Sequence, residues 1–270
     1  MPELPEVETT LRGISPYLLN KKIKQIQVRQ PRLRWPVPAE LHQAEGQTVK
    51  SLHRRGKYIV ATTAAGSIIL HLGMSGSLRI AEKPFEIRKH DHVLFELANN
   101  KQMIYHDPRR FGTILWSNGA AAGHPLLADL GPEPLSDAFD GSHLFTHSRG
   151  KKVAVKNYIM NGRIVVGVGN IYASEALYRS GIRPGKAAGR VTAAAYDSLA
   201  AEIKTVLDAA IKSGGTTLRD FVNSEGQPGY FQQTLNVYGR EGLPCRKCGS
   251  PVKQRTIGQR STFYCSNCQS

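Results

Sequence analysis

Leu4, Val7, Leu11, Ile14 and Leu18 recur at three- and four-residue spacings. The chain is therefore expected to open with an amphipathic helix, starting at Pro5, a residue suited to a first helical turn. Beyond it the apolar positions stop following a helical period. Ile23 to Arg29, Val49 to Thr63, Ser67 to Ile80, His92 to Leu97 and Met103 to Trp116 are rich in Val, Ile, Leu, Thr and aromatics and read as strands. Gly66, Gly73, Gly76 and the pair Asn99-Asn100 punctuate them, the last as a hairpin turn. Several short strands with no helix between them predict an antiparallel sandwich or barrel.

Gly131-Pro132-Glu133-Pro134 breaks this pattern, and the chain beyond it reads as helical. Helices are expected at Asn170 to Ser180, Thr192 to Ser213 and Leu218 to Asn223. The second carries Tyr196, Leu199, Ile203, Val206, Leu207 and Ala210 on one face and stops at Gly214-Gly215. The expected domains are residues 1–133, 134–236 and 237–270, the last set apart by its cysteines.

All four cysteines fall in that final stretch as Cys245-x2-Cys248, sixteen residues, then Cys265-x2-Cys268. No secretion signal precedes them, which argues for one structural zinc over two disulfides. Val252 to Ile257 and Ser261 to Tyr264 would form a hairpin between the pairs, joined at Gly258-Gln259-Arg260. Charge then narrows the partner. With 36 Lys plus Arg against 21 Asp plus Glu, the net charge is +15. The basic residues are scattered and form no long amphipathic helix, so a nucleic acid is favoured over an anionic membrane. No apolar run has transmembrane length, and a cytoplasmic location is expected.

Candidate chemistry begins at the N-terminus. Once Met1 is removed, Pro2 exposes a secondary amine able to form a Schiff base with a carbonyl carbon. The adjoining helix N-terminus would lower its pKa, and Glu3 or Glu6 would act as acid or base. The plainer reading is that Glu6 and Glu8 only complement the helix dipole. Lys57, after Arg54-Arg55-Gly56, reads by itself as a strand-edge charge. His90 and His92 share a strand face as two metal ligands would, with no third ligand nearby in sequence. Asp107-Pro108-Arg109-Arg110-Phe111-Gly112 pairs arginines with an aromatic in a tight loop, a composition suited to a wedge in a base stack. Gly167-Val168-Gly169-Asn170 opens like a dinucleotide fingerprint but meets Tyr172 where a third glycine is needed. What remains is a helix capped by Asn170, with N–H groups free for a phosphate.

Taken together these stretches resemble a known family. Pro2-Glu3-Leu4-Pro5-Glu6, His71-Leu72-Gly73-Met74-Ser75-Gly76, the Asp107 to Gly112 loop, Val166-Gly167-Val168-Gly169-Asn170-Ile171-Tyr172-Ala173, Gly214 to Leu218 and the four-cysteine ribbon occur in the order found in bacterial formamidopyrimidine-DNA glycosylases. The resemblance spans essentially the whole chain. It implies an α+β fold: an N-terminal β-sandwich with a leading helix, a helix-two-turn-helix domain and a zinc-ribbon hairpin. DNA would bind in the cleft between the halves.

The implied activity is excision of 8-oxoguanine and formamidopyrimidines from duplex DNA by a monomer, with strand cleavage by β- and then δ-elimination. Pro2 would attack C1′ and Glu3 protonate the sugar ring oxygen, with Glu6 structural or water-positioning. Lys57 and Arg260 count as catalytic candidates and, with Asn170, as phosphate ligands. Met74, Arg109 and Phe111 would fill the gap left by the flipped base. His90 and Lys156 join the DNA contacts, Lys156 near the lesion, and Ser224 to Phe231 matches a loop that closes over the base. Two other readings stand beside it: an endonuclease VIII-like glycosylase for oxidised pyrimidines, and a zinc-ribbon nucleic-acid binder without chemistry.

Overall fold

The computed structural model of the chain describes residues 2–82, 84–215 and 235–270. They divide into two units, residues 2–129 with 213–215, and residues 130–212 with 235–270. The architecture is α+β, with an antiparallel sandwich in the first unit and helices plus a cysteine hairpin in the second. No described helix is long and apolar enough to cross a membrane.

The first unit opens with helix α1 (Leu4–Leu18), one residue earlier than expected. Glu3 is the N-cap, and Glu6 Oε2 accepts from Glu3 N at 2.8 Å, the carboxylate half of a capping box. Leu4, Val7, Leu11, Ile14 and Leu18 are all buried, each burial contributing about 1.5–3 kcal/mol. Eight strands come next: β1 (Ile23–Val28), β2 (Ser51–Arg55), β3 (Tyr58–Thr62), β4 (Ser67–His71), β5 (Ser77–Glu82), β6 (Asp91–Leu97), β7 (Lys101–His106) and β8 (Thr113–Ser117). They form two antiparallel sheets, β1-β6-β7-β5 and β2-β3-β4-β8, whose inner faces share one core with α1. A short helix α2 (Pro125–Ala128) closes the unit.

Three of the expected strands are each two strands. Val49 to Thr63 folds back at Gly56-Lys57, where Gly56 takes φ +58° in a two-residue hairpin. Ser67 to Ile80 leaves one sheet and enters the other across Leu72 to Gly76, and Met103 to Trp116 does the same across Asp107 to Gly112. Apolar periodicity does not register these breaks, because the residues on both sides feed one core. The hairpin at Asn99-Asn100 forms, with Asn100 at φ +60°.

The second unit holds α3 (Gly141–Ser148), α4 (Val155–Ile159), α5 (Asn170–Arg179) and α6 (Ala193–Lys212), then the hairpin of β9 (Lys253–Ile257) and β10 (Arg260–Tyr264). All six residues expected on the inner face of α6 are buried. Glu175 on α5, 2% exposed, anchors the segment entering the ribbon. Its carboxylate accepts from the backbone nitrogens of Asn236, Val237 and Tyr238 at 2.8–2.9 Å. The helix expected at Leu218 to Asn223 and the loop Ser224 to Phe231 lie outside the described residues.

Candidate active site and nucleic-acid interface

Pro2 is buried directly before the N-cap of a fifteen-residue helix. In a chain that begins at Pro2, the positive end of the α1 dipole would bear on its nitrogen and disfavour an ammonium there. Glu3 and Glu6 are 2% and 0% exposed, so both carboxyl groups sit at low dielectric at the start of α1. Gly215 packs on Glu6: a Cβ at that position would lie 3.3 Å from Glu6 Oε1, and its φ of +85° favours glycine in any case.

Lys57 occupies the second position of the β2–β3 turn. That turn is tied to α1 by a pair the sequence did not reveal: Arg54 Nε bonds Glu8 Oε2 at 3.0 Å, and Arg54 donates to Gly56 O at 2.9 Å. The two partners are forty-six positions apart, and nothing in their local sequence links them.

Met74, Arg109 and Phe111 come together. Met74 is 37% and Phe111 46% exposed, and the Arg109 guanidinium lies 4.9 Å from the Phe111 ring centre. Apolar side chains held out on two adjoining loops form a projection able to enter a base stack. The loops touch backbone to backbone, since a Cβ on Gly73 would sit 2.4 Å from Gly112 N. Gly73 N also donates to His71 Nδ1 at 3.0 Å. Burial, and then the positive charges of Lys57 and Arg34, push His71 down to about 4, which keeps this acceptor neutral.

His90 and His92 form no metal site. The only cluster of three or more potential ligands among the described residues is the cysteine group. Asp91, between them, is consumed by Arg79 and by His106 Nδ1 at 2.8 Å, while His92 Nε2 bonds the Asp107 carbonyl at 2.7 Å. His90 stands half-buried, edge-on to the rings of His92 and His106.

In the second unit the hairpin turns at Gly258-Gln259, both at positive φ, and presents Arg260 exposed at the start of β10. Asn170 does not cap its helix. Gly169 is the N-cap, and the Asn170 amide instead donates to Ser261 O at 3.0 Å. Lys156, expected near the damaged base, is fully buried, and its ammonium donates to Ser261 O at 3.0 Å and Thr262 Oγ1 at 2.7 Å. Both side chains thus converge on the residue after Arg260 and fix the hairpin tip. Gly258 fits because a Cβ there would meet the Asn157 amide at 2.1 Å.

The four cysteine sulfurs lie within 4.8 Å of one another, with Cys245–Cys268 at 3.9 Å and Cys248–Cys265 at 3.5 Å. A tetrahedral zinc with Zn–S near 2.3 Å requires edges of about 3.8 Å, whereas a disulfide requires about 2.05 Å. The donor set therefore fits one structural zinc, closed to any further ligand. Tyr178 Oη lies 3.2 Å from Cys245 Sγ, a hydrogen bond that supports the thiolate.

Three family models match successive stretches of the chain. The formamidopyrimidine-DNA glycosylase N-terminal domain matches residues 1–114, the H2TH domain of the same glycosylases residues 130–222, and the zinc finger found in FPG and IleRS residues 242–270. The formamidopyrimidine-DNA glycosylase of Syntrophotalea carbinolica is 55% identical over 270 residues, covering 100% of both chains. Among solved structures, the MutM (Fpg) protein of Thermus thermophilus is 37% identical, with a TM-score of 0.90 over 99% of this chain and 98% of its own. A Lactococcus lactis Fpg mutant in complex with Fapy-dG-containing DNA is 32% identical, with a TM-score of 0.92 over 100% of both chains. By sequence across its whole length and by fold, the chain belongs to the formamidopyrimidine-DNA glycosylase family.

Proposed function

We propose that this protein is a bifunctional DNA glycosylase and abasic-site lyase of base excision repair, which removes 8-oxoguanine and formamidopyrimidines from duplex DNA. The observation that carries the reading is the setting of Pro2: buried at the positive end of α1 and followed by the buried carboxyl groups of Glu3 and Glu6, it becomes a ring secondary amine once Met1 is removed. An amine kept unprotonated is a nucleophile toward C1′ of a deoxyribose. Its lone pair forms the C1′–N bond as the C1′–base bond breaks and the base leaves with a proton. Glu3 protonates the ring oxygen, the sugar opens, and an iminium results. Because a proline iminium cannot lose its charge by shedding an N–H proton, it acidifies the neighbouring C2′–H. Loss of that proton expels the 3′ phosphate, and a second elimination expels the 5′ phosphate.

The other groups take roles suited to their places. Met74, Arg109 and Phe111 fill the space of the extruded nucleotide and offset an unstacking cost of a few kcal/mol. Arg109, with five fixed donors, faces the base left opposite. Lys57 in the first unit, and Asn170 and Arg260 in the second, hold phosphates, and the fixed positive charges of Lys57 and Arg260 favour the departing phosphates during elimination. His90 contributes a further DNA contact. Lys156 serves DNA through Ser261 by fixing the tip that carries Arg260. Zinc in the cysteine site folds the ribbon and takes no part in bond breaking.

Duplexes carrying one defined lesion test this assignment. The mature protein should cut at 8-oxoguanine and formamidopyrimidine and leave phosphates on both sides of a one-nucleotide gap. Cutting confined to oxidised pyrimidines would point to the endonuclease VIII type of activity, and binding without cutting to a protein without chemistry.

A further inference from the structure

A buried carboxylate that takes no part in bond breaking joins the wedge loops. Strand β7 ends at His106, and the next residue, Asp107, is 0% exposed although its neighbours Pro108 to Phe111 are exposed. Asp107 Oδ1 accepts from Ser75 Oγ at 2.7 Å. Oδ2 accepts from Gly112 N at 2.8 Å; Tyr105 Oη lies 3.4 Å from it and 3.1 Å from the His71 carbonyl oxygen, between which its one hydrogen is shared. Ser75 Oγ in turn accepts from Arg109 N at 3.2 Å. One hydroxyl therefore donates to Asp107 and accepts from Arg109, linking the residue beside Met74 to the backbone that carries Arg109. The Asp107 carbonyl closes the loop on itself, accepting from Arg110 N at 3.2 Å, with Arg110 held at φ +58°.

Donors on both oxygens, Ser75 Oγ on one and Gly112 N on the other, require a carboxylate, because an amide has a single acceptor oxygen and turns an NH2 toward the remaining donor. A wedge also gains from being rigid beforehand: side chains and backbone that are already ordered lose less entropy when they enter the base stack. We propose that Asp107, acting through Ser75, is the positioning residue for base extrusion, holding Met74, Arg109 and Phe111 in their insertion geometry before DNA arrives. The inference rests on the wedge role assigned above to those three side chains. Asp107 touches neither base nor sugar. Its effect should fall on extrusion and spare the later steps, which distinguishes it from a residue that merely keeps the fold intact.

The test compares two single-turnover rates on one preparation of full-length protein beginning at Pro2. One is excision of 8-oxoguanine from a duplex. The other is cleavage at a preformed abasic site, where there is no base to unstack. Asp107→Asn and Ser75→Ala should slow excision about tenfold to a hundredfold, as misplacement of about 1 Å does, and leave abasic-site cleavage within about twofold. Ser75→Thr, which keeps the hydroxyl relay, should restore excision. Phe111→Ala sets the size of the split obtained when the wedge itself is cut back. Equal slowing of both rates by Asp107→Asn and Ser75→Ala, or slowing of neither, overturns the proposal. If Phe111→Ala splits the rates and these two variants do not, the wedge stands and the positioning role falls. If Phe111→Ala gives no split, the wedge reading itself fails. Should Asp107→Asn not fold, Ser75→Ala against Ser75→Thr decides alone.

Discussion

The wedge of the first unit and the hairpin tip of the second both present an arginine on a tight turn, but they are stiffened by different means. The wedge loops grow out of a sandwich whose core runs from Val7 and Ile14 of α1 through Leu70, Phe95, Met103 and Ile114 of both sheets. They need only side-chain hydrogen bonds to finish the job. The ribbon has far less to build on. Its apolar cluster among the described residues is Tyr178, Val237, Cys245, Val252, Phe263 and Cys265, and two of those six are zinc ligands. A segment this small needs an external staple. Even its tip borrows rigidity, from Lys156 and Asn170 on the helices against which it lies. Two turns of similar appearance should therefore respond to quite different perturbations.

Removing the metal should separate them most widely. Structural zinc in finger peptides is worth about 10–16 kcal/mol at neutral pH, more than the ribbon's cluster supplies. Cys248→Ser, or chelation of the wild type, is expected to abolish hydrogen-exchange protection across residues 237–270. Protection around Met74 and Phe111 should be unchanged. Loss of protection in both places would mean that the two turns are not independently held.

Acid should act on the other turn. His71 titrates near 4 when folded, against about 6.5 in an unfolded chain. The fold thus favours the neutral ring, whose Nδ1 accepts from Gly73 N. The contribution is complete above pH 6.5 and is lost as pH falls toward 4, by up to about 3 kcal/mol. His71→Gln retains an acceptor and should flatten that part of the stability profile, read from denaturant midpoints at pH 7 and pH 4.5. Parallel profiles for the two proteins would remove His71 from the account.

The smallest effect belongs to Arg260, which is exposed and makes no part of the core. Arg260→Ala should leave the melting temperature unaltered and weaken DNA binding for every sequence. The slope of log affinity against log salt should fall by about one unit, as expected for one lost phosphate contact. An unchanged slope would take Arg260 out of the interface.

The same contrast governs how much of the molecule is legible in its sequence. Helix α1, the inner face of α6 and the four-cysteine spacing are legible because each is a local period or count. Runs such as Val49 to Thr63 conceal their turns, since a hairpin of two residues barely interrupts an apolar pattern when both arms face one core. Asn170 reads as a cap because cap preference is judged from neighbours, whereas its amide bonds Ser261, ninety-one positions away. Lys156 shows the limit most clearly. Its role near the lesion comes only from the family resemblance, and its buried partners Ser261 and Thr262 lie 105 and 106 positions away, where no local signal reaches. Asp107 sits inside a recognisable motif, but its partner Ser75 lies thirty-two positions off, beyond any local signal.

The central claim is that the nitrogen of Pro2 performs the chemistry, and reductive trapping tests it most directly. Mature protein beginning at Pro2, incubated with lesion-containing duplex and borohydride, should yield a covalent adduct by reduction of the iminium, with the crosslink mapping to residue 2. Protein that retains Met1 should give none, because the Pro2 nitrogen is then an amide. Pro2→Gly should trap in part, as it still offers an amine, and Glu3→Gln should bind DNA without releasing the base. Efficient trapping by a chain whose Pro2 nitrogen is blocked, with the crosslink on Lys57 or Lys156, would contradict the account.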